Sequence, residues 1–256
     1  MYDQPTRAQA MALAARGMNL TSVSRATGIA RSTLRDWQEH PEKLARPSRN
    51  TCPRCSPEST LGPLSSYAYL LGLYLGDGCI SRLGPAKKGV WKLRIMCADA
   101  WPGLLGECKD AMRSVRPGNS VAQIQRAGCV EVTSCSKHWP CLFPQHALGR
   151  KHERSIELEP WQQEIVARHP GALARGLFHS DGCRIINRIR RPLTGGDRWY
   201  EYPRYLFVNR SADIHRLCGE AMDRLGVAWR FSKPTTISVA RREAVARLDE
   251  FVGPKY

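Results

Sequence analysis

The sequence predicts an α+β fold: two lobes, each running αββαββα, behind a small all-α segment. Three observations predict it. An apolar stretch occurs twice, as YLLGLYLGDG at residues 69–78 and LARGLFHSDG at 173–182. Each copy leads into the same succession of period-two and period-3.6 apolar patterns. The offsets agree at both ends, with 104 residues from Asp77 to Asp181 and 104 from Lys151, in LGRK, to Lys255, in VGPK. Equal spacing at both ends favours a duplicated unit. The 256 residues allow one or two domains and a small appendage.

The all-α segment covers residues 1–45. A first helix over 7–16 places Ala10, Leu13 and Ala14 on one face, and Gly17 ends it. Thr21 is the expected N-cap of a second helix, with Val23 and Ala26 facing inward. Gly28 makes the turn, Ala30 or Ser32 opens the third helix, and Leu34 and Trp37 are its buried positions. Two short helices around a Gly turn make a helix-turn-helix layout, which would aim Arg31, Ser32, Thr33 and Arg35 at a major groove. A plain helical hairpin is the alternative.

Residues 46–66 exchange apolar periodicity for Pro, Ser and charge, as linkers do. Within them Cys52-Pro-Arg-Cys55 resembles a zinc knuckle. A closed zinc site takes four ligands, there is no second CxxC, and His40 is the nearby histidine. Zn2+ there needs distant ligands or a second chain, so a free pair is the favoured reading. The other eight cysteines are scattered and read as small buried hydrophobes.

The lobes are expected over 67–152 and 153–256. In the first, an apolar helix over 67–75 ends at Asp77-Gly78. Strands follow at 79–83 and 90–97, joined by a turn at 84–89. A helix at 100–115, strands at 121–127 and 129–134, and a last helix before Lys151 complete it. The second lobe repeats this, with strands at 183–191 and 199–209 around a turn at 192–197. Its later elements are a helix at 212–225, strands at 227–232 and 236–240, and a last helix.

Charge points to the partner. Lys and Arg number 39 against 23 Asp and Glu, a net +16, and 30 of the 39 are Arg. Guanidinium forks fit phosphate oxygens. Along the strands the basic residues recur with period two. Lys92 and Arg94 share one face and Trp91, Leu93 and Ile95 the other; Arg184, Arg188 and Arg190 lie opposite Ile185 and Ile189. One sheet face therefore packs on helices and the other is cationic, a saddle for double-stranded DNA. No apolar run is long enough to span a membrane, and the N-terminus lacks a signal-peptide layout. A cytoplasmic, nucleoid-associated protein of bacterial type is expected.

Chemistry concentrates at the repeated Asp. Gly72 and Gly76, and Gly176 and Ser180, are spaced four apart, so two helix backbones can approach closely and bring Asp77 and Asp181 side by side. Adjacent carboxylates repel and invite a divalent cation; Mg2+ accepts carboxylate and carbonyl oxygens. Two or more Mg2+ ions at the lobe interface, held by Asp77, Asp181 and the carbonyls of Gly76 and Ser180, would suit phosphodiester hydrolysis. Lys151 and Lys255 would stabilise the phosphorane.

LLGLYLGDG (70–78) and ARGLFHSDG (174–182) resemble the two motifs of the LAGLIDADG homing endonucleases, and the resemblance covers about residues 67–256. It implies a monomer with internal twofold pseudosymmetry that straddles duplex DNA, with the motif helices at the lobe interface. The family's metal-binding acids fall on Asp77 and Asp181, and its basic residue on Lys151 and Lys255. Leu75 and His179 stand where the motif is often acidic, and Arg175 is larger than usual there. The terminal residues read as a freestanding protein rather than an intein. Two functions follow: a metal-dependent, site-specific DNA endonuclease, or a sequence-specific transcription regulator on the same scaffold without cleavage. The N-terminal helix-turn-helix resembles sporulation regulators and favours the second; the retained aspartates favour the first.

Overall fold

A computed structural model describes residues 2, 4–44, 52, 54–55, 61–84, 89–194 and 196–256. Most of the expected linker, Pro53, most of the 84–89 turn and Gly195 lie outside the described residues. The chain divides into two compact units, one formed by residues 1–60 with 116–119, the other by the rest.

In the first unit α1 (Gln4–Ala15), α2 (Leu20–Thr27) and α3 (Arg31–Glu39) enclose Ala10, Val23, Ile29, Leu34 and Trp37. The cap of α2 is Asn19, whose Oδ1 accepts from Ser22 N at 2.9 Å, not Thr21. Starting the helix early lets Leu20 pack on the core. Gly28 takes the left-handed conformation, φ 69°, that closes α2. Ala26 is exposed, because Ile29, just past the turn, fills the core position instead.

The second unit holds both lobes. The first runs α4 (Leu64–Leu75), β1 (Gly78–Arg82), β2 (Trp91–Ala98), α5 (Pro102–Val115), β3 (Val121–Arg126), β4 (Cys129–Ser136) and α6 (Trp139–Leu142). After α7 (Pro160–Arg168), the second runs α8 (Pro170–Asp181), β5 (Gly182–Leu193), β6 (Gly196–Val208), α9 (Ala212–Arg224), β7 (Arg230–Lys233), β8 (Thr236–Val239) and α10 (Arg242–Asp249). Each lobe has a four-stranded antiparallel sheet, ordered β1-β2-β4-β3 and β5-β6-β8-β7. The expected αββαββα order recurs in both. Helix α7 was not expected; a capping box between Glu159 and Gln162, with Pro160 in its first turn, starts it.

Helices α4 and α8 pack backbone to backbone. A Cβ built on Gly72 would stand 2.6 Å from Leu173 O and 2.8 Å from Gly176 Cα. One built on Gly176 would stand 2.2 Å from Tyr69 O. Residues 67–75 are buried throughout, as an apolar helix clasped on all sides must be.

The lobes differ most in their first hairpins. β5 and β6 stay paired from Gly182–Phe207 to Leu193–Gly196, and only Tyr205–Val208 also pairs with β8. The outer ribbon thus runs past the sheet, and the expected turn at 192–197 shrinks to the link between Leu193 and Gly196. Ile185, Ile186 and Ile189 are exposed there. The expectation that Ile185 and Ile189 pack on helices is corrected: their stretch of strand extends beyond its neighbours in the sheet.

Candidate active site

Asp77 follows the last turn of α4 and Asp181 is the last residue of α8. Because the helices touch through Gly72 and Gly176, their ends are held together: a Cβ on Gly76 would lie 2.1 Å from Ser180 Oγ and 3.0 Å from Asp181 Oδ2. The Asp77 carboxylate makes no hydrogen bond among the described residues. Asp181 Oδ2 accepts from Asn209 Nδ2 at 2.6 Å. Asp77 is open to solvent on one side, yet desolvation and the neighbouring Asp181 charge push its pKa up to about 6. Desolvation also raises that of Asp181, which Asn209 and the two lysines oppose.

The two lysines converge on the same place. Lys151 Nζ donates to the carbonyls of Tyr74, Leu75 and Gly76 at 2.6, 3.0 and 2.7 Å, capping the C-terminus of α4. Lys255 Nζ reaches Ser180 O at 3.5 Å, at the end of α8. Burial lowers Lys151 to about 8 and lowers Lys255, while both aspartates pull the other way. Asp77, Asp181, Gly76, Ser180, Lys151 and Lys255 therefore form one cluster. Its donors are two ill-solvated carboxylates and two helix-end carbonyls. This all-oxygen set fits a hard divalent cation such as Mg2+.

Three residues outside the expected set shape the cluster. Asn209, two residues before the N-cap Ser211, orients Asp181 and belongs to no repeat motif. His179 is buried between Tyr69 OH and Val252 O, both 3.0 Å away, and desolvation lowers its pKa to about 4. Arg175 forks onto Glu107 of α5 at 3.0 and 2.6 Å. His179 and Arg175, which depart from the motif, thus make contacts that an acidic or a small residue could not.

On the sheets, Leu93, Ile95 and Cys97 are buried while Lys92 and Arg94 face the other way. The cationic faces are not as purely basic as the strands suggest. Lys92 Nζ lies 2.7 Å from Glu131 of β4, whose carboxyl is held low first by Lys92 and then by Arg126. Arg184 forks onto Asp249, Arg188 meets Glu201 at 3.2 Å, and Arg190 pairs with Asp197. Neighbouring strands and α10 supply these acids. Exposed Trp199 and Tyr200 carry guanidinium groups: Arg188 over Trp199 at 4.4 Å, and Arg191 and Arg198 against Tyr200 at 5.6 and 5.5 Å. In the first unit, Arg31, Ser32 and Arg35 of α3 are exposed and Thr33 is half-buried.

Cys55 N donates to Cys52 O at 2.9 Å; Cys52 is buried and Cys55 exposed. In the second unit, His138 Nδ1 and Cys141 Sγ at the start of α6 are 3.9 Å apart.

The fold is similar to solved structures of LAGLIDADG homing endonucleases. A crystal structure of I-DmoI in complex with DNA and Mn shares 15% identity over 74% of this chain and 97% of that one, at TM-score 0.48. The I-SmaMI LAGLIDADG homing endonuclease bound to cleaved DNA shares 12% over 77% and 85%, at 0.43. The LAGLIDADG meganuclease I-AabMI bound to uncleaved DNA shares 13% over 72% and 82%, at 0.44. At these values the likeness is one of fold and says nothing of what this chain binds or cuts. No protein-family model and no curated protein matches the chain.

Proposed function

We propose that the chain is a divalent-metal-dependent endonuclease that cuts double-stranded DNA at a specific site. The observation that carries this reading is the pair Asp77 and Asp181, held together by backbone contact between α4 and α8. Asp77, Asp181 and the carbonyls of Gly76 and Ser180 would hold Mg2+. Such ions supply an activated water and charge stabilisation of the leaving oxygen. The chain's own residues do the rest. Asn209 fixes the rotamer of Asp181. Lys151 and Lys255 bring positive charge to a phosphate whose charge rises at the transition state. Arg94, Arg188, Arg191 and Arg198 suit phosphate contacts that position the duplex, and exposed Trp199 and Tyr200 add apolar contact.

The test is cleavage of a randomised plasmid library in Mg2+, with Asp77→Asn/Asp181→Asn as control. Recurrent ends with short 3′ overhangs, absent with the control, are expected. Reproducible DNA capture without cutting, in Mg2+ or Mn2+, would overturn the reading. It would leave the transcription-regulator alternative, which the exposed α3 residues after the Gly28 turn favour.

A further inference from the structure

We infer that Tyr256 and His179 are positioning residues for Lys255: they strap residues 252–256 across both lobes and aim the ammonium at the end of α8. The inference deepens the endonuclease reading and, for its effect on cutting, rests on it.

The two lysines of the site are held very differently. Lys151 is caged by three carbonyls of one helix end. Lys255 lies in an irregular segment after α10, and its one hydrogen bond among the described residues, to Ser180 O, is long at 3.5 Å. A side chain with four rotatable bonds and one weak contact does not hold its own place. Its neighbours hold it instead.

One anchor is in the second lobe. His179 Nε2 lies 3.0 Å from Val252 O. A carbonyl oxygen only accepts, so Nε2 carries the proton, and Nδ1 then accepts from Tyr69 OH at 3.0 Å. This chain of bonds runs from α4 through α8 to the strap.

The other anchor is in the first lobe. Tyr256 O accepts from Gly103 N at 2.8 Å, in the first turn of α5. Tyr256 OH donates to Glu107 Oε1 at 2.8 Å, and the same carboxylate is forked by Arg175 of α8. The ring lies so close to α5 that a Cβ on Gly103 would stand 2.1 Å from its Cδ2 and Cε2. Lys255 is therefore carried by the second lobe but set in place by both.

The experiment maps lysine acylation by mass spectrometry at one pH, in the full chain, for wild type, Tyr256→Phe and Gly103→Ala. Loss of the Tyr256–Glu107 bond is expected to raise labelling of Lys255 at least about threefold, the low range for one hydrogen bond. Gly103→Ala, which expels the ring, raises it further. Labelling of Lys151 stays unchanged in both. Unchanged Lys255 labelling, or equal rises at Lys151 and Lys255, would overturn the strap. A second arm follows each DNA strand separately. The strand served by Lys255 is expected to be cut at least about threefold more slowly in Tyr256→Phe, so that nicked DNA accumulates. Equal slowing of both strands would also overturn the strap. If wild type cuts no DNA while labelling responds as expected, the endonuclease reading falls and the strap stands.

Discussion

Gly176→Ala is the most direct probe of the helix contact that makes the site. The added methyl would stand 2.2 Å from Tyr69 O and 3.0 Å from both Gly72 Cα and Leu73 N. Restoring an ordinary carbon–oxygen contact of about 3.3 Å requires the helices to part by about 1 Å. All three neighbours are main-chain atoms, which cannot rotate away. The cost therefore falls at the upper end for overpacking, about 3 kcal/mol. For a domain of this size that lowers Tm by about 6–12 °C. Gly106→Ala supplies the control. It lies within α5, nothing is within 4 Å of its built Cβ, and its φ is not positive. There the better helix propensity of Ala should stabilise by about 0.5–1 kcal/mol. Calorimetry and urea unfolding of the two variants measure both. A Gly176→Ala loss below about 0.5 kcal/mol, or a similar loss in Gly106→Ala, would refute the argument that backbone contact spaces the aspartates.

Two further predictions concern charge and metal. Asp77 has a folded pKa of about 6, raised above its ordinary value of 3.8. A carboxyl raised in this way favours folding while protonated and loses that advantage as pH climbs through 4 to 6. Asp77→Asn should thus melt higher than wild type at pH 7.5 without metal and equal it near pH 4, and Mg2+ should raise the Tm of wild type only. Lys151→Met removes the ammonium from three helix-end carbonyls and should cost about 2–3 kcal/mol in urea unfolding, with exchange of the last α4 amides speeding first.

Much of this architecture was legible in the chain because its signals are local. The Asp-Gly repeats, the small residues four apart and the period-two strands are properties of short stretches, and each lobe follows them. What was not legible is non-local. The acids that neutralise Lys92, Arg184, Arg188 and Arg190 come from neighbouring strands and from α10, so register and packing, not strand composition, decide how cationic each face is. The reach of the ribbon was hidden because alternation cannot say where a sheet's neighbours stop. Asn209 and Tyr256 differ in type from the residues at the matching points of the first copy, Asp99 after β2 and His152 after Lys151.

The unequal hairpins have a mechanical meaning. Paired strands rise about 3.3 Å per residue, and β5–β6 leaves most of its length without a third strand beside it. Two-stranded ribbons twist and bend more readily than sheets. The second lobe therefore carries a long two-stranded arm, while among the described residues β1–β2 pairs over five positions, and both spring from a hub held by main-chain contact between two helices. Force applied at the arm's tip would be absorbed as twist in the ribbon rather than transmitted to the spacing of the two aspartates.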